Sequence, residues 1–87
     1  MIDDHARILD ALAACLDDER PQMAQDVRAL IRGPMSLEAV LARLAEFERE
    51  PGLPVHLFGL IAAAKKAVST GDDSAFWRRA WHLLGLV

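Results

Sequence analysis

The sequence predicts an all-α protein, a compact bundle of five to six short antiparallel helices formed by a single domain, residues 1–87. Apolar residues recur at helical spacing along most of the chain, whereas no stretch alternates like a strand. Proline, glycine and capping residues interrupt that pattern at short intervals. The hydrophobic content of 53% is too high for a disordered chain. The apolar ending Leu84-Gly-Leu-Val87 indicates an end docked on the core or a domain excised from a longer protein.

The first helix is predicted to begin after Asp3 or Asp4, where a carboxylate can cap the free N–H groups of the first turn. Its apolar residues form one stripe along the helix: Ile2, Ile8, Leu9, Leu12, Ala13, Cys15 and Leu16. The acidic residues 17–19, followed by Arg20, end it. Whether residues 2–18 form one helix or two stays open at this point.

The second helix is predicted over Pro21–Arg32, because proline suits the first helical turn. Gly33, in a left-handed conformation, and Pro34 end it. Ser36 then caps a third helix that runs to about Glu48. Two apolar residues flank this cap at the spacing of a hydrophobic staple, Met35 and Val40. The residues expected to face inward from this helix are Leu37, Val40, Leu41, Leu44 and Phe47; those expected to face outward include Arg43, Glu46, Glu48, Arg49 and Glu50.

The fourth helix, residues 54–68, is predicted to be the buried centre of the bundle. One broad face is apolar, with Phe58 at its edge: Leu57, Leu60, Ile61, Ala64 and Val68. The opposite side is small or apolar rather than charged: Val55, Gly59, Ala62, Ala63 and Ala67, with His56 and Lys66 among them. A helix that is apolar on most sides is buried, and small residues let neighbouring helices approach closely.

The fifth helix is predicted to be capped by Asp72 or Asp73. Its apolar residues fall at helical spacing and are expected to face the core: Phe76, Trp77, Ala80, Trp81, Leu83 and Leu84. The alternative for the two tryptophans is an exposed platform on which nucleic-acid bases stack.

No catalytic, metal-binding or cofactor-binding pattern is found, so we expect a protein that is not an enzyme. Cys15 lies on an apolar stripe without a basic neighbour, which favours a buried free thiol over a nucleophile. The histidines His5, His56 and His82 lack the spacing of metal ligands. Each pair of adjacent acids lies at a helix end, where capping and solvation account for it. The single cysteine, the lack of a signal peptide and the lack of a membrane span predict a cytoplasmic protein with no membrane partner.

Charge is distributed unevenly along the chain. Residues 1–50 carry a net charge of −5 and residues 51–87 a net charge of +2, within a total of −3. This total argues against a protein held on nucleic acid by phosphate contacts. The predicted basic interface consists of Lys65, Lys66, Arg78 and Arg79, and the predicted acidic interface of Asp17, Asp18, Glu19, Glu46, Glu48 and Glu50. The two can attract each other between molecules.

The segment from Gly71 to Leu84, Gly-Asp-Asp-Ser-Ala-Phe-Trp-Arg-Arg-Ala-Trp-His-Leu-Leu, resembles the end of caspase-recruitment (CARD) domains. These belong to the death-fold superfamily and include CARD-like modules of bacterial immune proteins. They show a glycine, then Ala-Phe, another aromatic residue and a leucine at similar spacing. The resemblance implies a six-helix fold and homotypic assembly through oppositely charged faces, in cytosolic signalling or antiphage defence. It also implies recruitment of a protease or another effector.

The leading hypothesis is therefore a non-enzymatic interaction module that docks another copy or a related helical domain. It predicts that charge reversal at Lys65 and Lys66 abolishes assembly without unfolding the domain. One alternative is a DNA-binding or regulatory helix-turn-helix built on the last two helices, with Arg78 and Arg79 in a groove. Another is a phage or immunity-type inhibitor that binds one foreign protein.

Overall fold

Five helices joined by short connections make up most of the computed structural model, which describes residues 4–33 and 36–86. They are α1 (Asp4–Leu16), α2 (Pro21–Arg32), α3 (Leu37–Glu48), α4 (Val55–Thr70) and α5 (Ser74–Leu83). Neither of the two described ranges contains a strand. The all-α prediction is confirmed, and residues 4–16 form one helix rather than two.

Helix α4 lies at the centre, in contact with α1, α3 and α5. Its predicted apolar face is buried, and Leu60, Ile61 and Ala64 are fully inaccessible. Ala67, expected on the opposite side, is buried as well. The first turn differs, because Val55 is 86% exposed and projects from the bundle. The prediction of a central helix is therefore confirmed for the part of α4 that follows its first turn.

The core is shared by all five helices. Helix α2 packs on α1, α3 packs on α4, and α5 packs on both α1 and α4. The largest fully buried side chains come from every helix: Leu12, Leu16, Val27, Leu44, Leu57, Leu60, Ile61 and Phe76. Burial of a Leu, Ile or Phe side chain stabilises a fold by about 1.5–3 kcal/mol relative to exposure. Isolated helices of this length are only marginally stable in water, so these contacts between helices stabilise each of them.

The helix ends follow the sequence signals in part. The Ser36 hydroxyl accepts a hydrogen bond from the Ala39 N–H at 3.2 Å, so the predicted cap of α3 is confirmed. The predicted left-handed conformation of Gly33 is wrong, since its φ of −89° and ψ of 157° are extended. Gly71 is left-handed, with a φ of +82°, and its N–H closes α4 on the Ala67 carbonyl. The predicted roles of Asp3, Pro34 and Met35 lie outside the described residues.

Several side chains predicted to face the core are exposed: Leu37, Trp81, Leu83 and Leu84. Leu37 lies in the first turn of α3, one turn before the first buried residue of that helix, Val40. Helix α5 buries only Phe76 and Ala80, because it packs on α1 and α4 through a narrow strip. The opposite error concerns Glu48, which was predicted to face outward but whose side chain is only 14% exposed.

Candidate functional site

The outer face of α5 carries two tryptophans that the core does not cover. Trp81 is 46% exposed and Trp77 is partly buried, with their ring centroids 6.0 Å apart and their planes tilted by 32°. Together with Ser74 and Arg78 they line an open, mainly apolar groove of about 470 Å³. We call these four residues the tryptophan ridge. An aromatic residue left half-exposed beside an arginine is typical of a binding surface.

Local contacts hold Trp77 in place. Its indole Nε1 donates a hydrogen bond to the Asp73 carboxylate at 2.9 Å. The Arg7 guanidinium lies over its ring at 5.8 Å, and Phe76 packs edge-on at 5.1 Å. Asp73, predicted as a side-chain cap of α5, instead makes this indole contact and no cap hydrogen bond. A side chain that is already ordered loses less conformational entropy when it binds a partner.

The chain end extends the apolar surface beyond the ridge. Gly85, with a φ of +74°, donates its N–H to the His82 carbonyl, and the Leu86 N–H donates to the Trp81 carbonyl at 2.9 Å. This pair of bonds is a Schellman motif, which needs a residue with positive φ at the glycine position. The turn leaves Leu84 and Leu86 exposed after Trp81. The described part of the chain therefore ends in exposed apolar residues.

The four predicted basic residues differ in whether they have an acidic partner within the molecule. Lys65 Nζ lies 2.5 Å from the Glu48 carboxylate and Lys66 Nζ lies 3.5 Å from that of Asp72, so both lysines have acidic partners in their own molecule. Within the described ranges, by contrast, no acid lies within ion-pair distance of Arg78 or Arg79. The arginines, not the lysines, remain available to a partner.

Arg79 rests against α4 at its one internal glycine. A Cβ atom at Gly59 would lie 2.8 Å from Arg79 Nη1, so the guanidinium covers the backbone there. The small side of α4 was predicted to admit a neighbouring helix; at Gly59 the contact that the structure shows is an arginine side chain. Arg78, the preceding residue of α5, lines the groove of the tryptophan ridge instead. The two adjacent arginines therefore have different surroundings.

Most of the predicted acidic residues also have partners within the molecule. Asp17 accepts two hydrogen bonds from Arg28, both 2.7 Å long, and these lower the pKa of its carboxyl group. Glu19 lies 2.8 Å from His56 Nε2. Glu46 forms an ion pair with Arg43 at 2.7 Å, and Glu48 forms one with Lys65. Two of the six have no ion pair within residues 4–33 and 36–86, Asp18 and Glu50.

The fold brings the two acidic stretches to one place. A cleft of about 530 Å³ lies between the α1–α2 connection and the C-terminal end of α3. It is lined by Glu19 from the first stretch and by Glu46 and Glu50 from the second. We call it the α2–α3 cleft; its lining also includes Arg20, Pro21, Gln22, Met23, Asp26, Arg43, Phe47, Arg49 and Pro51. Asp17, Asp18 and Glu48 lie outside this lining.

The arginines of the cleft are a feature that the sequence analysis missed. Arg43 bonds Asp26 at 3.2 Å as well as Glu46, and its guanidinium stacks on the Phe47 ring at 4.8 Å. Arg20 donates to the Gly52 carbonyl at 3.0 Å and so ties the α1–α2 connection to the loop before α4. Arg43 thus pairs with two acids of the cleft, whereas Arg20 bonds carbonyl oxygens and keeps its positive charge. Three charged lining residues have no ion pair in the described part of the chain: Glu50, Arg49 and Arg20.

The exposure of Trp81 did have a signal in the sequence. Ser74, Arg78 and Trp81 are spaced i, i+4 and i+7, so they share one face of α5. A serine and an arginine on that face indicate that it is exposed to solvent. The prediction that Trp81 faces the core considered only the spacing of the apolar residues. The Asp73–Trp77 spacing of four residues also matches the hydrogen bond that is found.

Chemical reactivity is low at the one thiol. Cys15 is partly buried, and burial raises the pKa of its thiol to about 11, so it is protonated at neutral pH. Its Sγ lies 3.7 Å from the Ala80 carbonyl oxygen. Among the described residues, no group of three or more His, Cys, Asp or Glu side chains is arranged to hold a metal ion.

A comparison of the chain with protein-family models, curated proteins and solved structures finds no match. None of the described helices combines the length and the apolar character needed to cross a membrane. We therefore infer function from the tryptophan ridge, the neighbouring arginines and the α2–α3 cleft.

Proposed function

We propose that this chain is a non-enzymatic protein-interaction module, and that the tryptophan ridge of α5 docks another copy or a related helical domain. The observation that carries the proposal is Trp81, which is half-exposed beside Arg78, an arginine without an ion pair in the described ranges. Tryptophan and arginine are the residues that most often dominate the binding energy of protein interfaces. The fixed position of Trp77 beside them favours the same use.

The size of the molecule limits the strength of such a contact. A standard interface takes about 800 Å² from each partner, which is about one seventh of the 5368 Å² surface of this chain. Only four residues, those of the tryptophan ridge, line this groove, so we expect a single contact to be weak. Binding becomes effective when several copies of the module are linked or assembled together. Arg78 and Arg79 increase the association rate and determine the orientation of the acidic partner.

The resemblance to CARD domains adds a cellular role to the proposal. A recruitment domain of death-fold type, acting in cytosolic immune or antiphage signalling, would use such a module to gather an effector. The resemblance of residues 71–84 and the all-helical bundle support this extension. The five helices of the described residues, where the family has six, weigh against it.

Substitution of Trp81 tests the proposal. We expect the wild-type protein to self-associate between about 10 µM and 1 mM in sedimentation equilibrium, and Trp81→Ser to weaken this association at least tenfold. Phe58→Ser is the matched control, because Phe58 on α4 is equally exposed at 46% but lies off the ridge. Equal effects of both substitutions, or no self-association up to the highest concentration, would count against docking of another copy through the ridge.

The DNA-binding alternative is tested with the same variants. If α5 entered a groove, the wild-type protein would bind duplex DNA with a steep salt dependence, and Arg78→Glu would reduce the slope. We expect no such binding, because the net charge is −3 and only two arginines of α5 are available. Strong, salt-dependent retention on heparin would favour that alternative.

A further inference from the structure

Building on the function proposed above, we infer that the tryptophan ridge of one copy docks into the α2–α3 cleft of a second copy, so that copies join head to tail. Arg78 of the first copy would pair with Glu50 of the second, and Trp81 would pack on the apolar part of the cleft.

Charge complementarity selects these two surfaces. Glu50 is the one acid of the cleft lining whose carboxylate has no partner in the described residues. Asp26 and Glu46 pair with Arg43. Glu19 lies 2.8 Å from His56, a contact that is ionic only when the histidine is protonated. Arg78 is the corresponding unpaired cation of the ridge. Neither charge has to give up an intramolecular partner to form the contact. Each other acid of the cleft would have to break a bond that already exists.

The apolar parts of the two surfaces also correspond. Pro51 follows Glu50 directly, is exposed, and lines the cleft together with Met23 and Phe47. Met23 and Phe47 are each 5% exposed, so the exposed rings of Pro21 and Pro51 offer most of the apolar surface that an indole face can contact. The cleft, at about 530 Å³, falls within the range of pockets that bind their ligands well. A single tryptophan side chain is small enough to enter it.

The positions of the helices indicate a head-to-tail contact. Helix α3 is bonded to α4 at Lys65 through Glu48, and α5 covers α4 at Gly59 through Arg79. These two α4 positions are six residues apart, which places them about 120° apart around the helix. The cleft beside α3 and the ridge on α5 therefore lie on different sides of α4. Contacts between two different surfaces join successive copies into a ring or an open chain.

The test mixes two variants that each lack one surface. The ridge variant carries Trp81→Ser and Arg78→Glu and keeps the cleft; the cleft variant carries Glu50→Arg and keeps the ridge. We expect wild type to form oligomers larger than dimers, each variant alone to be monomeric, and an equimolar mixture to stop at a 1:1 heterodimer. Analytical ultracentrifugation measures all four states. All three substituted side chains are exposed, and far-UV circular dichroism checks folding.

Substitution of the residue next to Glu50 supplies a control that should strengthen association rather than weaken it. Arg49 also lines the cleft and is exposed, so Arg49→Glu makes the same position more acidic. We expect this variant to associate about threefold to tenfold more tightly, whereas Glu50→Arg weakens association at least tenfold. A chain that carries Arg78→Glu and Glu50→Arg together should recover association, because the pair is restored with its charges exchanged.

The outcomes separate this inference from the proposed function. If the ridge variant loses association while Glu50→Arg and Arg49→Glu change nothing, the ridge is an interaction surface but the cleft is not its partner, and the inference is wrong. A wild type that stops at a dimer, or a mixture that stays monomeric, also overturns it. If the ridge variant associates like wild type, the proposed function itself fails.

Discussion

Reversal of the charge at Lys65 should destabilise the fold, which distinguishes this lysine from its neighbour Lys66. The Glu48 side chain is 14% exposed and that of Lys65 is 34% exposed, with 2.5 Å between Nζ and the carboxylate oxygen. Loss of one partner costs about 3–5 kcal/mol in a buried pair and about 0–1 kcal/mol in an exposed one. This pair lies between those limits, and Lys65→Glu adds repulsion between two carboxylates.

We therefore expect Lys65→Glu to lower the free energy of unfolding by about 2 kcal/mol, which corresponds to a melting temperature about 8–16 °C lower in a domain of this size. Lys66→Glu should leave the melting temperature unchanged, because Lys66 is 59% exposed and lies 3.5 Å from Asp72. Reversal of both lysines is therefore expected to lower the stability of the domain through Lys65, beside any effect on assembly.

Thermal and urea denaturation, followed by circular dichroism at one low protein concentration, measure the difference between the two variants. The exchanged pair, Lys65→Glu with Glu48→Lys, should recover at least half of the lost stability. Equal stability of the Lys65 and Lys66 variants would refute the reasoning, because it would mean that burial of Glu48 does not strengthen the pair. Unequal stability without recovery in the exchanged pair would attribute the loss to packing of the lysine stem instead.

Three further predictions concern single sites. Gly59→Ala should stabilise α4 by about 0.5–1 kcal/mol in urea denaturation, because only the flexible end of Arg79 has to move; a loss of stability would mean that the guanidinium is fixed. Cys15 should react with iodoacetamide at pH 8 at least about tenfold more slowly in the native than in the unfolded chain, since its thiol has a pKa of about 11. Arg28 lowers the pKa of the Asp17 carboxyl group below its ordinary value. The ionised carboxylate therefore stabilises the fold above the ordinary pKa, and this contribution is lost as the pH falls through the folded-state pKa. Asp17→Asn should make acid denaturation less steep, and an unchanged profile would contradict the assignment.

Some of the architecture could be predicted because its causes are local. Ser36 caps α3 through a hydrogen bond to a residue three positions away, a distance that the sequence shows directly. Pro21 begins α2 for an equally local reason. The buried face of α4 follows from residue spacing alone. Features that depend on neighbours within one or two turns were therefore within reach of sequence reasoning.

The candidate site was less predictable, because its residues come from separate helices. Trp81 lies about 140° around α5 from Phe76, at the far edge of the predicted apolar stripe. Helices α1 and α4 cover Phe76 and Ala80 but leave Trp81 half-exposed. The spacing of apolar residues shows which side of a helix can be buried. It does not show how much of that side the neighbouring helices reach.

Ion pairs between helices were also beyond the sequence. Lys65 belongs to the predicted basic interface and Glu48 to the predicted acidic one, and the fold joins them within one molecule. It also brings Glu19 and Glu46 into one cleft, although a whole helix separates them in the chain. That Arg78 and Glu50 are among the charged residues without an ion pair in the described ranges could be seen only after the other pairs had been assigned.

The sequence by itself determined that this chain forms helices, where most of them begin and end, and that the fourth helix supplies the core, because periodicity and capping act over a few residues. Only the tertiary structure decided that the tryptophans of α5 lie partly in solvent, that the lysines have acidic partners, and that two distant acidic stretches line one cleft. These features depend on which helix packs against which, and that arrangement is a property of the whole chain.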